Sequence, residues 1–425
     1  MRKIFEKNDE KIRVLSLFSG CGGMDFGFEA AGFDTIFAND FDRHSCGTLR
    51  LNGARHVVEG PIESISARVI KERLAGHTLD VLYGGPPCQP FSKSGYWSTG
   101  DTKRLDDPRS ATLTEYFRLV DELQPRAFLL ENVHGISYSG KEEGFTLLLE
   151  QIQQINRRRK TNYRPAWAIL NAADYGVPQL RIRFFLVAFR DGSPFTFPAP
   201  THQAPQADTA AFLPDLFSSS LPSHTTAWDA IGHLRPDPGE SLAMTGRWAD
   251  LLPSIPEGEN YLWHTDRRGG LPLFGWRTRY WSFLLKLAKA RPSWTIQAQP
   301  GSAIGPFHWQ NRRLSWREMA ALQTFPSDFK IDSSRVEIQR QIGNAVPSHL
   351  AEILARSIHE TLTGRKSAAP WKLAVTPAPN TPQAEKLKPV PAEFLHLKGD
   401  HEAHPGTGKG RSYQGKDLAG QAAPV

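Results

Sequence analysis

The chain is poor in cysteine: 425 residues hold only Cys21, Cys46 and Cys88. An odd, widely spaced set supplies neither a disulfide framework nor a CxxC zinc pattern, so a reducing compartment is expected and no metal. No run of about 18 apolar residues exists, so no segment reads as a membrane-spanning helix. Residues Met1 to Glu10 are charged and lack an apolar stretch, so no secretory signal is expected. The Gly-x-Gly-x-x-Gly turn of nicotinamide dinucleotide sites is absent at the first glycine-rich turn, which makes an oxidoreductase the weakest reading. No internal repeat is present. What the chain does have is 40% apolar residues, enough for a sizeable core, and a net charge of +7. That charge is a mild bias towards a polyanionic partner.

Strand-like and helix-like segments alternate through the first half. Strands are expected at 12–18, 35–38, 81–83, 127–130, 166–170 and 183–189, and helices at 24–31, 41–51, 112–123 and 145–155. This alternation argues for an α/β fold, a mostly parallel sheet covered on both faces. Near Phe197 the texture changes. From Pro198 to about Gly305 the chain is rich in Pro, Gly, Ser, His and Trp, as in an inserted, loop-rich second domain. Helical order returns at 315–323 and 347–362. The expected units are therefore 1–197, an inserted domain at 198–310, and a return to the first domain at 311–364. After Gly364 the composition cannot bury enough apolar area to offset its ordering entropy, so 365–425 is expected to be a disordered tail.

Two turns carry chemistry. The apolar run ending at Tyr83 reads as a buried strand, and Gly84-Gly85-Pro86-Pro87 stops it just before Cys88. Cys88 thus falls at the carboxyl end of a strand, where open α/β sheets place their ligands. A reactive thiol and a buried small hydrophobe both fit it at this point. After the first strand, Phe18-Ser19-Gly20-Cys21-Gly22-Gly23 opens into a helix, and small residues there let backbone approach a ligand. About 20 residues on, Asp40 ends the second strand, where a carboxylate can accept from ribose hydroxyls. The alternative is a tight βα turn with a helix-capping aspartate.

Five blocks in order resemble the DNA cytosine-5 methyltransferases of bacterial type. They are Leu17 to Gly23, Gly85 to Ser92, Glu131-Asn132-Val133, Gln179 to Arg183, and Gln341 to Pro347. The resemblance spans roughly residues 12 to 362. It implies a Rossmann-like, S-adenosylmethionine-dependent methyltransferase domain with a smaller, loop-rich target-recognition domain. The partner it implies is double-stranded DNA, with a cognate restriction endonuclease acting separately in a bacterial cytoplasm. A monomer is expected, since one large and one small domain can enclose DNA between them. The rivals are an RNA (tRNA) cytosine-5 methyltransferase and a catalytically silent DNA-binding homologue.

By this resemblance Cys88 is the nucleophile, Glu131 holds the cytosine N3, and Arg181 and Arg183 stand in the catalytic pocket, with Arg183 near the cytosine O2. On the residues alone, the arginines also fit a basic edge strand, and Glu131 a solvent-facing or capping residue. The resemblance gives the cofactor Phe18, Gly20, Cys21, Gly22 and Gly23 from the first turn. Asp40, Phe41 and Ile62 follow from the next two strands, Pro86 from the cysteine loop, and Asn344 and Ala345 from the carboxyl end. One departure is Pro61, which stands where the family has an acid facing the adenine amino group. The polar loop from Ser92 to Arg109 reads as a lid, with Ser92, Ser94 and Arg104 facing DNA, and Thr295 is expected at the DNA from the inserted domain. Cys88→Ser is expected to abolish methyl transfer while S-adenosylmethionine binding, followed by calorimetry, stays within about twofold. Full activity in that variant would refute the thiol mechanism.

Overall fold

In a computed structural model the chain is described at residues 12–87, 111–133, 143–205, 221–276, 280–299, 301–399 and 401. Side-chain alternation builds its central sheet. On β1 (Arg13–Leu17), Val14 faces one layer while Leu15 and Leu17 face the other. The chain continues through α1 (Gly23–Ala30), β2 (Asp34–Asp40), α2 (Arg43–Leu51), β3 (Val57–Glu59), α3 (Ala67–Leu74) and β4 (Val81–Gly84). Next come α4 (Ala111–Leu123), β5 (Ala127–Val133), α5 (Glu143–Arg159), β6 (Ala166–Asn171), β7 (Gln179–Leu180) and β8 (Ile182–Phe189). Seven strands pair in the order β3-β2-β1-β4-β5-β8-β6, parallel except for β8, which runs antiparallel to both neighbours. The expected α/β sheet is therefore observed. The order reverses between β1 and β4, so the carboxyl ends of those strands open the crevice where such sheets bind ligands.

One face of the sheet packs α3, α4 and α5, and the other packs α1 and α9 (Ser348–Thr363). The α1–α9 contact is close. A Cβ on Gly27 would lie 2.4 Å from the Ala351 Cβ and 2.6 Å from the Ser348 carbonyl oxygen. The inserted region contributes α6 (Ala227–Ile231) and β9 (Ser293–Trp294), the latter paired parallel to β7. The chain then returns through α7 (Trp316–Leu322) and α8 (Arg335–Asn344). Ala227, Ile231 and Leu287 of the inserted region share a core with Leu314 and Met319 after it. A second core, around Leu251, Leu252, Tyr261, Leu284 and Phe307, belongs to the inserted region. Among the described residues, no helix is long and apolar enough to cross a membrane.

The disordered tail is corrected for residues 365–399. Every residue from Ser348 to Arg356 of α9 is buried, including Glu352 and Arg356. Their partners lie in the segment after Gly364. The Glu352 carboxylate accepts from the Lys372 and Leu373 N–H groups, both at 3.0 Å. Arg356 donates to the carbonyls of Ala369 and Pro370. Further along, Phe394 is 2% exposed and joins the inserted region's core. Composition argued for disorder because few apolar residues are present, but a few well-placed backbone groups suffice to satisfy a buried ion pair.

Packing at α1 makes a paired prediction. Gly27→Ala should lower the unfolding free energy by roughly 1–3 kcal/mol through overpacking. Gly47→Ala, on α2 with nothing within 4 Å of the new methyl, should raise it by roughly 0.4–1 kcal/mol. Urea titration of both variants distinguishes these signs, and a shared sign would contradict the contact.

Candidate active site

The carboxyl ends of β1, β2, β4 and β5 and the amino end of the antiparallel β8 surround one cavity of about 320 Å³, completed by the end of α8. Its floor is the turn after β1. Phe18 and Gly20 adopt left-handed backbone, with φ of 53° and 56°. A side chain on Gly23 would place its Cβ 2.3 Å from the Val346 carbonyl oxygen, so only glycine lets the carboxyl-terminal motif close over the turn. Asp40 fastens this turn to β2. Its carboxylate accepts from the Gly20 N–H at 2.8 Å and the Asp42 N–H at 2.9 Å. Burial pushes the Asp40 carboxyl up, and those two N–H groups only partly counter it. Each oxygen retains an acceptor site for a ligand hydroxyl. Beside it Phe41 stands 72% exposed, an aromatic face at the cavity rim.

The opposite wall is ionic. Glu131, on β5, pairs with Arg183, on β8, at 3.1 Å between Oε1 and Nε. Both side chains are largely buried. Burial raises the Glu131 carboxyl, and the charges of Arg183 and Arg181 offset part of that rise, leaving it above the ordinary glutamate value. A Cβ on Gly85 would lie 2.7 Å from Glu131 Oε2, so the glycine makes room for the carboxyl. Next to it, Asn132 donates from Nδ2 to the Pro86 carbonyl at 3.1 Å and accepts the Val133 N–H. This pins the strand that leads to Cys88 against the end of β5. Cys88, Ser92, Ser94 and Arg104 lie outside the described residues.

The structure thus brings Phe18, Gly20, Gly23, Asp40, Phe41, Pro86, Glu131, Arg183, Asn344 and Ala345 to one cavity. Four expected residues do not border it. Arg181 is fully buried behind the wall, donating from Nη2 to the carbonyls of Gly343 at 2.9 Å and Asn344 at 3.2 Å. It positions the α8 end. Cys21 packs instead into the core around Leu314 and Met319, and burial pushes its thiol well up. Gly22 sits on the other side of the turn, against Leu49 and Phe26. Ile62 is a core residue under α3, 3% exposed. No residue from Glu59 to Ile62 borders the cavity, and the Glu59 carboxylate pairs with Arg50 at 3.4 Å. Thr295 donates its hydroxyl to the Leu180 carbonyl at 2.6 Å, stitching the inserted region to β7, just before the arginines.

Other wall residues were not foreseen: Ser45, Arg340 and Gln341. Arg340 pairs with Asp42 at 2.8 Å and so ties α8 to the start of α2. A Ser-x-x-Glu start signal at Ser334 and Glu337 marks α8 and would have placed Arg340 on the helix that leads into the Gln341 to Pro347 motif.

The fold and this site define the class: a Rossmann-like methyltransferase with a nucleoside-sized cleft beside a buried carboxyl–guanidinium pair. Residues 12–360 match the family described as C-5 cytosine-specific DNA methylase. The chain belongs to that family and is a DNA cytosine-5 methyltransferase. It is 37% identical to the Type II methyltransferase M.SacI of Streptomyces achromogenes, over 83% of this chain and 94% of that protein. It is 32% identical to the Type II methyltransferase M.NgoFVII of Neisseria gonorrhoeae, over 83% of this chain and 87% of that protein. The fold is also similar to the solved structure of the Entamoeba histolytica methyltransferase EhMeth, with a TM-score of 0.55 at 16% identity, covering 83% and 99% of the two chains.

Just behind the glycine turn, Asp25 is buried, and its Oδ2 has no hydrogen-bond partner among the described residues. Burial pushes its carboxyl up to about 7, against a bond from Ser16. A carboxyl raised on folding holds its proton more tightly in the folded state. Its stabilising contribution is complete below the unfolded value of about 3.9 and is lost as pH rises through about 7. Unfolding free energies between pH 4.5 and 7 should therefore fall by up to roughly 1.4 kcal/mol per pH unit more in the wild type than in Asp25→Asn, with the extra slope vanishing above about pH 7. Parallel slopes would show that Asp25 does not titrate there.

Proposed function

We propose that this chain methylates C5 of a cytosine at a specific site in duplex DNA, with S-adenosylmethionine as donor and Cys88 as nucleophile. The observation that carries the reading is the shared cavity. The Glu131–Arg183 pair and the Asp40-anchored glycine turn open into the same space. Its volume falls at the lower end of the roughly 300–1,000 Å³ typical of small-molecule sites. The donor fits the residues present. Asp40 has acceptor capacity for ribose hydroxyls, the Gly20–Gly23 turn leaves backbone bare, and Phe41 offers a face for a planar base. When bound, the donor supplies an electrophilic methyl group on sulfonium.

The chain's own residues then divide the work. C5 of cytosine is a poor nucleophile until a thiolate adds to C6. The Cys88 sulfur forms a bond to C6, and the ring electrons become available at C5. Negative charge that builds in the ring is met at N3 by the Glu131 carboxyl, whose raised affinity for a proton suits it to that hydrogen bond. Arg183 fixes the orientation of Glu131 through their contact. After methyl transfer the C5 proton leaves to water and the C6–S bond breaks, which restores aromaticity and frees the thiol. A base within a duplex cannot enter this cavity, so the target cytosine is turned out of the stack.

Residues 198–310 serve as the target-recognition region, with Ser92, Ser94, Arg104 and Thr295 contributing DNA contacts. The mild positive charge and the Type II names of the relatives support a restriction–modification role in a bacterial cytoplasm, acting as a monomer beside a separate endonuclease. Bisulfite sequencing of plasmid DNA from cells expressing the protein tests this reading. Protected cytosines in one recurring short sequence are expected. Plasmid with no protected cytosine beyond the host background would contradict it, as would protection without sequence context.

A further inference from the structure

The segment after α9 begins beyond residue 360, where the family match ends, yet it touches three parts of the molecule. Its first anchor is α9. Trp371 lies over the Arg356 guanidinium, 4.1 Å from ring centroid to Cζ, while Glu352 binds the next two backbone N–H groups. Burial raises the Glu352 carboxyl, but the nearby His349 ring, the Lys372 and Leu373 N–H groups and the Arg356 charge outweigh it and hold the group below its usual range. Its second anchor is α6, where the Ala378 N–H donates to Asp229 Oδ1 at 2.7 Å. Its third is the inserted region's own core. The Lys289 ammonium, 4% exposed, is shared between Glu257 at 2.6 Å and Glu385 at 3.0 Å. The Lys388 N–H donates to the Pro253 carbonyl, and the Phe394 ring stacks on Trp248 at 5.7 Å.

The near half of the inserted region is joined to the first domain by the β7–β9 pair and by the core that Ala227, Ile231 and Leu287 share with Leu314 and Met319, whereas the far core around Leu251 and Tyr261 draws its outside residues, Val390, Phe394 and Leu397, from the segment after α9. A body joined to the first domain through its near half alone keeps freedom at its far core. An attachment at its far core, drawn tight to α9, removes that freedom.

We propose that residues 369–397 form a positioning strap that fixes the angle of the recognition region over the catalytic cleft. The strap therefore governs productive engagement of DNA, not donor binding or the chemical step. This rests on the methyltransferase reading above. The two ends of the strap lie on different bodies, so cutting either end should give the same phenotype. That equivalence separates a strap from two unrelated local packing contacts.

The test uses the full chain with Trp371→Ala at the α9 end and Phe394→Ala at the recognition end. Glu385→Gln, 52% exposed, serves should Phe394→Ala prove insoluble. Each variant is expected to raise KM for cognate duplex about tenfold, with kcat at saturating DNA and donor affinity without DNA within about twofold of wild type. Hydrogen exchange in the core at 251–262 is read on the same proteins without DNA. It should speed up in Trp371→Ala, although Trp371 touches only α9. An unchanged KM in folded variants overturns the strap, as does donor affinity that falls in step with activity. A wild type that methylates no DNA would overturn the reaction instead, and the exchange measurement would still decide the strap.

Discussion

A single buried guanidinium organises the wall of the active site. Arg181 has no exposed surface, and its Nη2 holds the carbonyls of Gly343 and Asn344 together. Burial drives its affinity for a proton well down, the neighbouring Arg183 charge adds to that, and Glu131 opposes both. Taking such a charge out of water costs several kcal/mol unless partners restore it. The bonded partners are the carbonyls at the end of α8, and the charge of Glu131 on β5 favours the cation without touching it. Moving either would strand the charge, so the carboxyl-terminal motif and the catalytic wall are held in fixed relation by electrostatics rather than by sequence proximity.

The consequence reaches the chemistry. Glu131 pairs directly with Arg183 and feels the charge of Arg181 as well, in a poorly solvated place. Glu131 experiences two guanidiniums that favour its anion and a burial that favours its acid, and the acid gains. A carboxyl in that balance can donate to a ring nitrogen and take charge as the ring does. Across the same cavity, Asp40 holds the glycine turn through two backbone N–H groups and keeps acceptor capacity for a sugar. Nucleoside chemistry and base chemistry therefore meet without any residue serving both.

Much of this was legible in the sequence because it depends on local pattern. Strand positions came within a few residues, since strands buried on both faces read as near-continuous apolar runs, as β1 and β8 do. Asp40, Glu131 and Arg183 were placed correctly on one sheet edge, because strand ends are where this topology puts ligands. Cys21, Gly22, Ile62 and Arg181 were read as lining the cavity because a motif cannot say which side of the backbone faces a ligand. The glycine turn folds Cys21 and Gly22 towards α2 and α7, and the break between β7 and β8 at Arg181 lets that side chain face the α8 end while Arg183 faces the cavity, although residues two apart on one continuous strand would share a face. The segment after Gly364 was misread for another reason. Its order is dictated by Glu352 and Arg356, two polar residues of α9 that must find partners, and composition carries no trace of that demand.

Whether the cavity works as one site for cytosine and methyl donor is tested most directly by trapping. Duplex DNA carrying 5-fluorocytosine in the target sequence can accept the methyl group but cannot lose a proton from C5, so the C6–S bond should persist. Peptide mapping by mass spectrometry after incubation with this DNA and S-adenosylmethionine should find methylated fluorocytosine attached at Cys88. No adduct should form without the donor in place at comparable yield. An adduct on another residue, or full turnover of the fluorinated substrate without any adduct, would contradict the shared-site mechanism.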